Sequence, residues 1–152
     1  MLHPFTVDEV ERVLRRQPAP GEKWSADYPS AVQSDYLQAY LIEARSPRHE
    51  WYWQAQVRRR IDGLVVGGAG VTGPPDERGA VVLGYELVSE MSDSVHGVDI
   101  VKALIEVARG MGAQRATTDV FDDDQVRRHV YFGAGFTEAR RDGRVVYLER
   151  EL

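Results

Sequence analysis

Three groups of side chains in this sequence could move a proton or hold an anion. Tyr131 carries a phenol with a proton to give, seven residues after Asp124 in a run closed by Gly133, Gly135 and Phe136. That run reads as a short helix with Asp124 as N-cap and glycine as its stop. Glu86, in Gly84-Tyr85-Glu86-Leu87-Val88, offers a carboxylate that could take a proton directly or through water, with Asp119 and His96 as the other bases. Strand periodicity does not say which face Glu86 takes, and a solvated or ion-paired glutamate fits the same pattern. Ser92, Ser94 and His96, beside the free N–H groups of a helix start, offer donors to a phosphate.

Other chemistries are removed by what is absent. With no cysteine, disulfides, thiolate metal sites and a cysteine acyl-enzyme drop out. His3, His49, His96 and His129 lack metal-ligand spacing with carboxylates, and Asp122, Asp123 and Asp124 read as a loop plus a cap, so no metal is expected. Gly67, Gly68 and Gly70 fall inside a strand pattern, which indicates a bulge or a close backbone approach rather than a dinucleotide loop. A net charge of −5 argues against a nucleic-acid partner and mildly favours a cationic or amine-bearing one. The triplet Arg58, Arg59, Arg60 precedes an Asp62-Gly63 turn and reads as a solvated strand end. No apolar run approaches the roughly 20 residues of a membrane span, and Met1 leads into Pro4 and an acidic helix rather than a signal peptide. No membrane partner and a cytoplasmic location are the expectations.

The length of 152 residues suits a single domain, 1–152. Thr6 and Glu9 form a capping box for a first helix reaching Arg16, which Pro18, Pro20 and Gly21 break. Tyr36, Leu37, Tyr40 and Leu41 mark a second helix capped by Ser34 or Asp35. From Trp51 the period becomes two, with Trp51, Trp53, Ala55 and Val57 on one face and Tyr52, Gln54, Gln56 and Arg58 on the other. The Asp62-Gly63 turn, a strand over 64–71, a wider turn over 73–79 and a strand over 80–87 follow. After an irregular stretch over 89–96, Ile100, Val101, Leu104, Ile105 and Ala108 trace a helix ending at Gly110 or Gly112. A buried strand over 115–121, the helix from Asp124, and a hairpin over 136–149 turning at Asp142-Gly143 close the chain. The expected architecture is α/β (α+β), order α-α-β-β-β-α-β-α-β-β, a mixed and mostly antiparallel sheet with helices on both faces.

That order, together with the closing run Asp124 to Phe136, resembles the GNAT family of acyl-CoA-dependent N-acyltransferases over nearly the whole chain. The resemblance implies an N-acetyltransferase that uses acetyl-CoA as co-substrate and transfers its acyl group directly to a primary amine of a small molecule, a peptide or a protein N-terminus. It implies Tyr131 as the acid for the departing thiolate and Glu86 as the base. It places Leu87 and Val88 along the pantetheine arm, and Ser92, Ser94, Val95, His96, Gly97 and Val98 around the pyrophosphate. Asp124 stands where the family usually carries asparagine near the CoA arm; the N-cap reading of Asp124 and a structural reading of Tyr131 stay open beside these. The family's loop pattern, Arg/Gln-x-x-Gly-x-Gly/Ala, falls on residues 92–97, where Gly97 alone matches, Val95 replaces a glycine and Asp93 adds negative charge. Ser92, Asp93 and Val95 therefore also admit a GNAT-shaped binding or assembly module that does not use acetyl-CoA in the usual way. Trp24, Tyr28, Trp51, Tyr52 and Trp53 would line an acceptor pocket or pack the core, and an exposed edge strand could support a homodimer.

Overall fold

The structure is a computed structural model that describes residues 1–47, 49–92 and 94–152, with Ser94 described by its backbone alone. Its elements follow the expected order after one additional short strand, β1 (Leu2–Pro4). Three residues ending on a proline show too little alternation to be read as a strand. Pairing with β2 (Tyr52–Arg58), Leu2 opposite Val57 and Pro4 opposite Ala55, is what makes them one. The other elements are α1 (Val7–Leu14), α2 (Ala31–Glu43), β3 (Val65–Thr72), β4 (Ala80–Leu87), α3 (Ser94–Gly110), β5 (Arg115–Phe121), α4 (Gln125–Gly133), β6 (Thr137–Asp142) and β7 (Val145–Glu151). The seven strands form a mixed, mostly antiparallel sheet in the order β1-β2-β3-β4-β5-β7-β6. Among the described residues no helix is long and apolar enough to cross a membrane. The chain gathers into two compact units, Met1–Gly70 with Tyr85–Met91, and Val71–Gly84 with Ser92–Leu152.

In the first unit the capping box forms as expected. Glu9 N donates to Thr6 Oγ1 at 3.3 Å and Thr6 N donates to Glu9 Oε2 at 2.8 Å, and Val10 and Val13 bury the inner face of α1. Helix α2 starts earlier than the apolar period suggests. Its N-cap is Ser30, which accepts from Gln33 N at 3.1 Å, and not Ser34 or Asp35. The residues that α2 buries are Gln33 and Leu37, and a polar residue on the inner face conceals the first turn from a search for apolar spacing.

Strand β2 departs from its alternation in the same way. Gln56, expected on the outer face, is 1% exposed between buried Ala55 and Val57. Its Nε2 donates to the Tyr28 hydroxyl at 3.3 Å, and its Oε1 accepts from Arg58 Nε at 3.0 Å and Nη2 at 2.7 Å. With both ends of the amide satisfied, burial costs little. Arg58 is accordingly not a solvated strand end: its guanidinium folds back onto Gln56 and reaches Glu22 at 3.5 Å. Burial pushes the Tyr28 phenol well above its ordinary pKa.

The glycines of β3 serve close approach, as expected. A Cβ on Gly67 would lie 2.1 Å from the Glu86 carbonyl oxygen, and one on Gly68 would lie 1.8 Å from Gln33 Nε2.

In the second unit, Val101, Leu104, Ile105 and Ala108 of α3 are buried, as are Ala116 and Val120 of β5 and Val146 and Leu148 of β7. Strand β5 pairs antiparallel with β7 along its whole length, from Arg115 opposite Glu151 to Phe121 opposite Val145. Its parallel ladder with β4 is far shorter. It comprises Ala80 with Arg115, Val81 with Ala116 and Val82 with Thr117.

Candidate functional site

The end of α4 explains the spacing of the closing run. Phe136 N donates to Tyr131 O at 3.0 Å, Gly135 N donates to Phe132 O at 3.0 Å, and Gly135 has φ of +88°. These are the two bonds of a Schellman motif, with glycine at the left-handed position. The apolar contact that accompanies such a cap is present: the Tyr131 and Phe136 rings meet edge to face, centroids 5.1 Å apart at 74°. Tyr131 is 1% exposed, so its ring is held by the helix, the cap and the Phe136 ring together.

At the other end of α4, Asp124 caps the helix, its Oδ1 accepting from Arg127 N at 3.0 Å and its Oδ2 lying 3.4 Å from Arg127 Nε. The N-cap reading is thus realised in the structure.

The first turn of α3 lies close to α4. A Cβ on Gly133 would stand 3.3 Å from Val98 Cγ2, so the absence of a side chain there lets the last turn of α4 approach Val98. Residues 94–96, expected in an irregular stretch, belong to the helix. Val95 and His96 are exposed, Gly97 is buried and Val98 is half-buried. The first turn contains no acidic residue, and the leading N–H groups of an α-helix have no partner within it. Such a terminus favours an anion. Asp93 and the side chain of Ser94 lie outside the described residues, and Ser92 is exposed just ahead of the helix.

Glu86, Leu87 and Val88 belong to the first unit. Leu87 and Val88 are buried at 9% and 8% exposure, Glu86 is half-buried, and Val88 N donates to Val66 O at 2.8 Å. The other candidate bases, Asp119 and His96, are both exposed and belong to the second unit. The structure therefore groups the α3 start, Asp124 and Tyr131 in one unit and the Glu86 to Val88 segment in the other. Of the aromatic residues, Tyr28 is buried while Trp24, Trp51, Tyr52 and Trp53 are half-buried, and Trp24 meets Tyr28 edge to face at 5.2 Å.

Sequence reasoning missed Gln33 and Gln56, two buried carboxamides. Gln56 had a signal, since it lies two residues from Arg58 on one strand face, within reach of a side-chain bond. Gln33 had none.

No family model and no curated protein matches this sequence. Solved structures do. A GNAT acetyltransferase from Streptococcus pneumoniae superposes with a TM-score of 0.69 at 13% identity, over 100% of this chain and 99% of that one. The ribosomal-protein-S5-alanine acetyltransferase of Vibrio fischeri gives 0.68 at 13% identity, over 99% and 91%. Campylobacter jejuni N-acetyltransferase PseH, solved in complex with acetyl coenzyme A, gives 0.65 at 12% identity, over 99% and 97%. At such identities the likeness is one of fold, and the fold of this chain is that of the GNAT acetyltransferases.

Proposed function

We propose that the chain transfers an acetyl group from acetyl-CoA to a primary amine, on a small molecule or at a peptide or protein N-terminus. The observation that carries this reading is the start of α3, whose leading N–H groups stand in a turn without an acidic residue, in a chain with the fold of the GNAT acetyltransferases. The pantetheine arm, which carries amides, would run along Leu87 and Val88. The α3 start, with Ser92, Val95, His96, Gly97 and Val98, would hold the pyrophosphate of acetyl-CoA. Asp124 would stand near the arm through the carboxylate valences that its cap leaves free.

In this reading the amine nitrogen attacks the thioester carbon, the new C–N bond forms, and the C–S bond breaks. Glu86 takes the ammonium proton, directly or through water, so that the nitrogen lone pair is free. Tyr131 donates its phenolic proton to the departing sulfur. No acyl-enzyme is needed, and with no cysteine in the chain none forms on a thiol. The amines that the neighbours' names carry, spermidine in one case and a ribosomal-protein alanine in another, and the net charge of −5, support an amine acceptor as a class.

Calorimetric titration with acetyl-CoA and with desulfo-CoA tests the reading. Micromolar binding is expected for both, and silence at millimolar ligand would overturn it. Tyr131→Phe, which keeps the ring, should lower turnover far more than cofactor affinity; an unchanged rate removes Tyr131 from the mechanism.

A further inference from the structure

A cavity of about 600 Å³ lies wholly within the first unit, lined by β1, α1, the connection from α1 to α2, and the end of β2 with the turn that follows it. Six acidic and basic side chains line it, three of each kind: Glu9, Glu22 and Asp62 against Arg12, Lys23 and Arg58. The two sets differ in how far their bonding is satisfied.

Every carboxylate has partners inside the protein. Glu9 accepts from Thr6 N at 2.8 Å and faces His3 Nε2 at 2.9 Å. Glu22 accepts from Ala19 N at 3.1 Å and from Arg58 Nη2 at 3.5 Å. Asp62 accepts from Leu64 N at 3.1 Å, from Arg59 Nε at 2.9 Å and from Arg59 Nη2. The cations are not matched in this way. Arg12 Nε is buried without an acceptor, and among the described residues Arg12 makes no hydrogen bond or ion pair, while the Lys23 ammonium makes no hydrogen bond and acts on Asp62 through its charge alone. Arg58 commits Nε and Nη2 to Gln56 and Glu22, and among the described residues no bond is made by Nη1.

The backbone that carries these cations is also held in place. Val65 N donates to Lys23 O and Ser25 N donates to Val65 O, each at 2.9 Å, which ties the loop carrying Lys23 to the start of β3. Arg12 stands on α1, anchored by buried Val10 and Val13, and Arg58 is locked by Gln56. A buried guanidinium nitrogen without an acceptor is costly unless something supplies one. The unmet demand of the cavity is for negative charge.

We propose that this cavity binds a small molecule through an oxyanion, a carboxylate or a phosphate group, with Arg12 as the principal donor and Lys23 and Arg58 Nη1 completing the site. The site is independent of acetyl transfer, because none of the residues proposed for that reaction lines it. The planar fork of arginine matches either oxyanion, and lysine adds a point charge.

Nitrogen-proton NMR of the full chain, titrated with inorganic phosphate, with succinate, and with chloride at matched ionic strength, tests the proposal. Phosphate or succinate, and not chloride, should move the Arg12 Nε–H signal and the amides of Ala19, Lys23 and Gly63. A response to phosphate alone assigns a phosphate-bearing ligand, and a response to succinate alone assigns a carboxylate. Lys23→Gln, at an exposed position where folding is not at stake, should weaken the response about tenfold, and Arg12→Gln at least as much. The proposal is overturned if neither oxyanion acts beyond chloride, if the response survives both substitutions, or if it is confined to residues 95–98 at the start of α3.

Discussion

Replacing Gly135 with alanine isolates the backbone device that sets Tyr131. Gly135 has φ of +88°, and a Cβ there would meet nothing closer than the Arg150 guanidinium at 3.4 Å, an ordinary contact. Packing therefore contributes no penalty, and the cost is the backbone's own, about 1–2 kcal/mol for an L-residue held in the left-handed region. For a domain of this length that lowers Tm by about 2–8 °C. Gly110, the last residue of α3, is the matched control: its φ is not positive, and an added Cβ meets nothing within 4 Å. Alanine there should stabilise by about 0.4–1 kcal/mol by restricting the unfolded chain. One substitution is thus expected to have opposite signs at two helix ends. Urea denaturation with equal m-values reads both. If Gly135→Ala is no less stable than Gly110→Ala, the Schellman account of the α4 end is wrong, and so is the claim that this cap fixes the phenol. If the proposed acetyl transfer also holds, turnover should fall in Gly135→Ala, because strain in the cap shifts the Phe136 ring that packs on Tyr131.

Three further outcomes follow from the same structure. Asp124→Ala removes the α4 N-cap and should cost about 1 kcal/mol in denaturant unfolding, independently of any effect on cofactor affinity. Gln56→Leu leaves the buried Tyr28 hydroxyl and the inner face of Arg58 without their partner, a loss of about 1–3 kcal/mol; a neutral result would mean that water reaches Gln56. The Glu9 carboxyl is raised by burial but lowered further by Thr6 and His3, so its folded pKa lies below the ordinary 4.5. Its contribution to stability is complete above that ordinary value and is lost as pH falls through the folded one. Glu9→Gln should therefore flatten the decline of stability on acidification below about pH 4.5, and an unchanged slope would contradict the capping-box assignment.

Element order was readable from the sequence because it rests on local signals. The Thr6–Glu9 box, the Asp62-Gly63 and Asp142-Gly143 turns and the period of α3 each act over a few residues, and all appear where those residues place them. Strand β1 was not readable, since its identity lies in the residues opposite it on β2, some fifty positions later. The same holds for Gln33 and Gln56. A glutamine on an inner face looks like an error of periodicity until its partners are known, and those of Gln56, Tyr28 and Arg58, come from two separate segments.

The closing run was legible for a different reason. Tyr131, Gly135 and Phe136 occupy the third-from-last helical position, the left-handed position and the residue beyond it, the places where the cap requires a carbonyl, a glycine and an apolar ring. Their spacing is therefore fixed by folding alone and would persist in a chain with no catalytic use for the phenol. A signature of this kind is good evidence of fold and weak evidence of chemistry. The first turn of α3 presents the reverse case. Val95 in place of a glycine is no obstacle inside a regular helix, where ordinary φ suffices, and under the proposed reading an anion there would be met chiefly by the N–H groups of the turn. The loop's departure from the family pattern thus bears on how closely a pyrophosphate approaches the backbone, and the desulfo-CoA titration measures that directly. Binding there with no turnover would separate a retained cradle from a lost reaction.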